Sequence, residues 1–156
     1  MAPHEDGNSM ITVEKATRVA ATADRLWHLL SSREGQCRLE RGIVASIEFE
    51  GDGVGMVRHM RLEGHPPEII VRERLDHCDP VAREMRLSIV DTGDIVPFAC
   101  HSGHARVIPA GPAASILYLR TSFVPVDMED EAARAIAERN HDMLIANVRA
   151  ALAEPA

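Results

Sequence analysis

Arg58 is the side chain of this 156-residue sequence most open to chemistry. In an extended segment it shares one face with Met56, Met60 and Leu62. A guanidinium on an apolar face needs a partner, because an unpaired buried charge is costly. The partner is either a ligand carboxylate, carbonyl or phenolate, or an acid of the chain such as Glu73; otherwise the guanidinium snorkels to the rim. His101 and His104 come next. On a strand, an offset of three puts them on opposite faces, so a joint metal site needs a bulge, which Gly103 permits. There is no H-E-x-x-H and no cysteine or histidine cluster with zinc spacing, so no metal and no cofactor is expected. If Ala105 and Val107 face inward, His101 shares their parity. It is then either a general acid/base or a hydrogen-bonded structural group. Cys100 would point to the other face, which disfavours a Cys–His pair. Gly53-x-Gly55 is too short a signal for phosphate binding, and no Ser-His-Asp pattern stands out.

The elements that must position these residues can be read from periodicity. Residues 11–20 read as a strand with imperfect alternation. Thr22 is an N-cap with Asp24 in the first turn, and Ala23, Leu26, Trp27 and Leu30 form one helical stripe. Residues 33–41 are a short second helix or a loop. Alternation then predicts strands over Ile43–Phe49, Met56–Leu62, Ile69–Leu75 and Met85–Ile89, with two more at about 97–108 and 114–124. Turns fall at Gly51–Gly55, Gly64–Pro67, Asp79-Pro80, Asp91–Asp94 and Pro109–Pro112. Residues 127–153 read as a long helix with Asp127 as N-cap and Asp127–Glu131 at its positive end. Its stripe is Ile136, Leu144, Val148 and Leu152, with Asn140, Met143 and Asn147 beside it. Those asparagines either bind a polar ligand end, cap other elements or hold water. Met60, Met85 and Met143 either line an adaptable pocket or fill core. The order is an α+β layout, helices segregated from an antiparallel sheet, in one domain over 11–153 with a loose tail at 1–10.

Composition excludes several classes. The formal charge is −7, so nucleic acid is not an expected partner. No apolar run of membrane-spanning length exists, and Met1–Met10 lacks a signal-peptide layout, so membrane insertion is not expected and the expected location is cytoplasmic. Three widely spaced cysteines, Cys37, Cys78 and Cys100, are no disulfide framework. With five aromatic residues (Phe 3, Tyr 1, Trp 1), the core must be aliphatic and methionine-built.

Several motifs, in order, resemble one superfamily. They are Val19-Ala20-Ala21-Thr22-Ala23-Asp24-Arg25-Leu26-Trp27 at a strand-to-helix junction and Gly53-Val54-Gly55-Met56-Val57-Arg58 as a G-x-G-x-x-R hairpin strand. They continue with Glu73-Arg74-Leu75-Asp76 and Asp79 as an E-R-L strand and its turn, and Leu119–Phe123 with Pro125 as the last strand. The pattern resembles the START/Bet v 1-like (SRPBCC) superfamily, in particular its bacterial polyketide cyclase/dehydrase and lipid-transport group. The resemblance implies a helix-grip fold: a curved antiparallel sheet of about seven strands around a long C-terminal helix, with one or two short helices after the first strand. It also implies a cavity between sheet and helix for a small hydrophobic or aromatic molecule. The expected walls are Arg58, Met60, Met85, Leu87, Ile89, His101, Leu117, Leu119, Asn140, Met143 and Asn147. Leu119 stands where the family usually has Trp, and Met85 and Leu87 where tyrosines are common, so aromatic walls are largely missing. The expected function is ligand binding or carriage. The alternative is a cyclase/dehydratase in which Arg58 polarises a carbonyl and His101 moves a proton. A homodimer is compatible with either.

Overall fold

The computed structural model describes residues 9–154. Its elements, in chain order, are β1 (Ile11–Val19), α1 (Ala23–Ser31), α2 (Arg33–Leu39), β2 (Val44–Glu50), β3 (Val57–Leu62), β4 (Val71–Asp79), β5 (Glu84–Asp91), β6 (Phe98–Pro109), β7 (Ser115–Pro125) and α3 (Asp130–Ala153). The strands form one antiparallel sheet in the order β1-β7-β6-β5-β4-β3-β2. The first strand closes on the last, and everything between is consecutive hairpins, as expected of α+β helix-grip architecture. Helix α3 packs against β1, β7 and α2, while α1 and α2 meet each other beside it. Residues 1–8 of the expected tail lie outside the described residues. No described helix is long and apolar enough to cross a membrane.

Local chemistry explains most boundaries. The Thr22 hydroxyl accepts from the Arg25 amide and starts α1. Ser32 does the same for α2 through Gly35 N–H, and the polar 33–41 segment is helical as far as Leu39. A Cβ at Gly35 would lie 1.9 Å from the Leu29 carbonyl oxygen, so this close α1–α2 packing admits only glycine.

Two expectations are corrected. Asp127 is not the N-cap of α3: its φ is 51°, and the helix starts behind Glu129, which makes no side-chain cap bond. The buried stripe of α3 is Ala133, Ala137, His141, Ile145, Val148 and Ala151. Ile136, Leu144 and Leu152 are only partly buried at its edge. Small alanines let the helix lie close to the sheet, and that contact sets its rotation.

The core has two parts. The larger joins α1, the middle of the sheet and the C-terminal half of α3 through Leu26, Leu30, Leu75, Met85, Leu117 and Val148. The smaller joins Ile11, Val13, Phe98 and Phe123 to Ala133 and Ala137.

Candidate functional site

A cavity of about 170 Å³ lies under the sheet, between α1, α2 and α3. Its apolar wall includes Leu30, Leu39, Met85, Leu87, Leu119 and Leu144. Alternation on β5 and β7 brings Met85, Leu87 and Leu119 to the inner face.

The polar end is built around Arg58. Arg58 on β3 and Glu73 on β4 are direct cross-strand partners, both pointing inward. Arg58 Nη2 donates to Glu73 Oε1 at 2.7 Å and Oε2 at 3.3 Å. Its guanidinium also reaches Gln36 Oε1 on α2 and Glu40 Oε1 at the C-cap of that helix, both at 3.4 Å. Burial works against the Arg58 charge, but Glu73 and Glu40 outweigh it and hold the guanidinium protonated beyond its usual range. Burial likewise pushes the Glu40 carboxyl up; Arg58 opposes that shift and Glu73 adds to it. Arg58 Nε is buried with no partner.

On the opposite side, Thr121 Oγ1 and His141 Nε2 are 2.8 Å apart, and both residues line the cavity. The His141 Nδ1 is buried and unpartnered. Burial lowers the His141 pKa, and the nearby Lys15 charge adds to the effect. The imidazole is therefore neutral at neutral pH.

His101 takes the inward parity of Ala105 and Val107. A bulge between Ala99 and Ser102, with Cys100 at φ 53°, lets Phe98 face inward as well. The bulge lies at Cys100, not at Gly103, which pairs regularly with Thr121 and Leu87. His101 stacks on Phe98 at 5.9 Å and near Phe123 at 6.5 Å, and Cys100 is exposed. Its Nδ1 is buried without a partner, and burial lowers its pKa, opposed by Glu73. It packs on two rings of the smaller core and is not among the residues that line the cavity. His104 has its ring against Tyr118 and its Nε2 3.6 Å from Glu84, so the two histidines do not converge.

Of the expected wall residues, Arg58, Met85, Leu87 and Leu119 line the cavity. Met60 and Leu117 are buried core, and Ile89 lies half-buried opposite Glu73. Asn140 is half-buried outside the lining. Met143 packs over Gly42. Asn147 Nδ2 donates to the Leu39 and Arg41 carbonyls at 2.8 and 2.9 Å, tying α3 to the end of α2. Gln36, Glu40, Thr121 and His141 were not legible as site residues. For His141 a signal existed: it sits four residues after Ala137 and four before Ile145, on a stripe of small and aliphatic residues.

Residues 10–153 match the model of a family described as polyketide cyclase / dehydrase and lipid transport. No curated protein sequence matches the chain. Among solved structures, the Zhui aromatase/cyclase from Streptomyces sp. R1128 is similar, with TM-score 0.74 and 24% identity over 91% of this chain and 93% of that one. Norcoclaurine synthase from Thalictrum flavum, in complex with dopamine and hydroxybenzaldehyde, gives TM-score 0.73 and 18% identity over 95% and 90% of the two chains. At these identities the likeness establishes the fold.

Proposed function

The chain belongs to the polyketide cyclase/dehydrase and lipid transport family, and from that premise we propose that it binds a small, neutral, ring-sized molecule bearing one hydrogen-bonding group. The observation that carries this reading is an apolar cavity closed at one end by an arginine whose charge is already matched. Arg58 faces two carboxylates, Glu73 and Glu40. With Glu40 protonated the cluster is neutral; with it ionised the cluster is negative. In neither state does it attract a carboxylate, yet its N–H groups can donate to a phenol or carbonyl oxygen. The volume sets the size: an engineered apolar cavity of about 150 Å³ accommodates benzene, whereas drug-sized ligands need about 300 Å³ or more. That dopamine and hydroxybenzaldehyde, both single-ring compounds, occupy the similar norcoclaurine synthase is consistent with such a ligand.

A second reading, cyclase or dehydratase chemistry, is favoured by one observation. Glu40 and His141 flank the cavity, and burial displaces both toward their uncharged forms. A carboxylic acid that donates and an imidazole that accepts are what general acid/base chemistry requires. In this reading His141, not His101, moves the proton.

Native mass spectrometry with solvent extraction, followed by calorimetric titration with matched phenols, aryl ketones and benzoates, tests the binding reading. A phenol or ketone should bind at one equivalent, and the matched benzoate at least about tenfold more weakly, a difference of about 1.4 kcal/mol. Tighter benzoate binding, or binding undiminished in Leu119→Phe, which places a ring in the cavity, would sink it. Conversion of a bound compound that disappears in His141→Gln would establish the second reading.

A further inference from the structure

The outer face of the sheet carries a second polar cluster; its His77, Asp79 and Glu84 do not line the cavity, and His104 borders both. Strand β4 ends at Asp79 and β5 begins at Glu84, and these two residues pair directly across the hairpin. A register shift between Leu75 and His77 turns the end of β4, so Cys78 packs on the core while its neighbours His77 and Asp79 face the other way. Glu84 faces the same way, opposite to buried Met85. One ligating atom from each of His77, Asp79 and Glu84 lies within 4.8 Å of the others.

The arrangement is held in place from several sides. His77 Nε2 is 3.1 Å from Glu84 Oε1. His104, from β6, puts its Nε2 3.6 Å from the other oxygen, Glu84 Oε2, and rests edge-on against Tyr118. Asp79 Oδ1 accepts the Val81 and Ala82 amides at 2.9 and 3.0 Å, which fixes the carboxylate and leaves Oδ2 for another group. The nearby cations do not occupy the carboxylates. Arg83 bonds Asp24, Arg86 acts on Asp76, and Arg106, opposite Glu84 in register, bonds no acid among the described residues.

We propose that His77, Asp79 and Glu84 form a binding site for a divalent transition-metal ion of the zinc type, with His104 positioning Glu84 from behind. One imidazole and two carboxylates form a donor set suited to Zn²⁺, and two anionic ligands balance its charge. The imidazole–carboxylate contact of His104 matches the way outer groups orient a ligating carboxylate. The ion would clamp β4 to β5 at the hairpin end, and three protein ligands would leave a coordination position open to water.

The test uses the full chain, stripped with a chelator and titrated with ZnCl₂ by calorimetry. One equivalent should bind with a Kd in the micromolar range or below, and the thermal midpoint should rise with zinc concentration. His77→Ala and Glu84→Gln should each abolish the saturable step, and His104→Ala should weaken it by about tenfold. His59→Ala, which removes the histidine of a separate His–Glu pair with Glu50, should change nothing. In the unaltered protein, imidazole ¹H–¹⁵N correlations should shift for His77 and His104 and stay fixed for His101 and His141, a readout independent of whether any variant folds. Binding only at millimolar zinc, binding that survives in Glu84→Gln, or imidazole shifts centred on other histidines would overturn the proposal.

Discussion

Glu73 and Arg74 are consecutive on β4, yet they live in different solvents. Glu73 points inward and is buried at 8% exposure against Arg58. Arg74 points outward, half-exposed, and bonds Asp76 at 2.7 Å. The same contrast separates the histidines. Inside, His101 and His141 each leave a ring nitrogen buried without a partner. Outside, His77 and His104 share the carboxylate of Glu84. The two faces of the sheet thus meet two sets of the same residue types, the inner one completed by His141 of α3. Inside, each charge must be matched atom by atom, because water cannot compensate; outside, water screens, and only geometry makes a cluster unusual.

The sharpest way to break the comparison is at the buried pair. Arg58→Ala leaves Glu73 buried without its cation and should cost about 3–5 kcal/mol of stability, measured by urea unfolding. The double variant Arg58→Met, Glu73→Leu should recover most of that loss, because it removes both desolvation penalties. A single variant as stable as the unaltered chain would mean that water reaches this cluster.

The next effect is a pH dependence from the inner histidines. Burial holds His101 and His141 below the ordinary imidazole value of 6.5. As pH falls, the unfolded chain takes up these protons first. Their contribution is therefore fully present above about 6.5 and is lost as pH falls toward their folded values. Glu40 has the opposite sign: its raised carboxyl favours the folded state below about 4.5, and ionisation at higher pH erodes that contribution. With Glu40 replaced by Gln, which removes the opposing contribution, the thermal midpoint should drop between about pH 8 and about pH 5. His101→Phe, which keeps a ring between Phe98 and Phe123, should make that drop shallower. An unchanged slope would assign the dependence elsewhere.

The smallest effect belongs to the outer ion pair. Arg74→Ala should change stability by less than about 1 kcal/mol, and added salt should reduce even that. A larger change in the same unfolding experiment would erase the distinction between the two faces.

The strands were largely legible, because alternation and the Asp79-Pro80 and Asp91–Asp94 turns are local. Arg58 was legible as an inward arginine from its parity with Met60, and Glu73 stood among its expected partners. Gln36 and Glu40 were not, because α2 has a polar sequence and only its docking shows which of its residues face Arg58. His101 was placed inward by parity. Its stacking on Phe98 depended on the Cys100 bulge, which breaks alternation without a glycine to announce it.

By itself, the sequence determined the order of the strands and of the first and last helices, the Thr22 cap, the sheet's inner and outer sets over most strands, and family membership through motifs spread from Val19 to Pro125. These follow from periods of two and from local hydrogen bonds, which need no distant partner. Tertiary structure decided the rotation of α3, which several stripes would have allowed, and so chose His141 over Asn140 and Asn147 for the cavity wall. It decided that Arg58 meets α2 as well as β4. It also decided that His104 reaches across from β6 to the β4–β5 hairpin. Each of these rests on contacts between residues far apart in the chain, where packing against a particular neighbour, and not local preference, selects one arrangement.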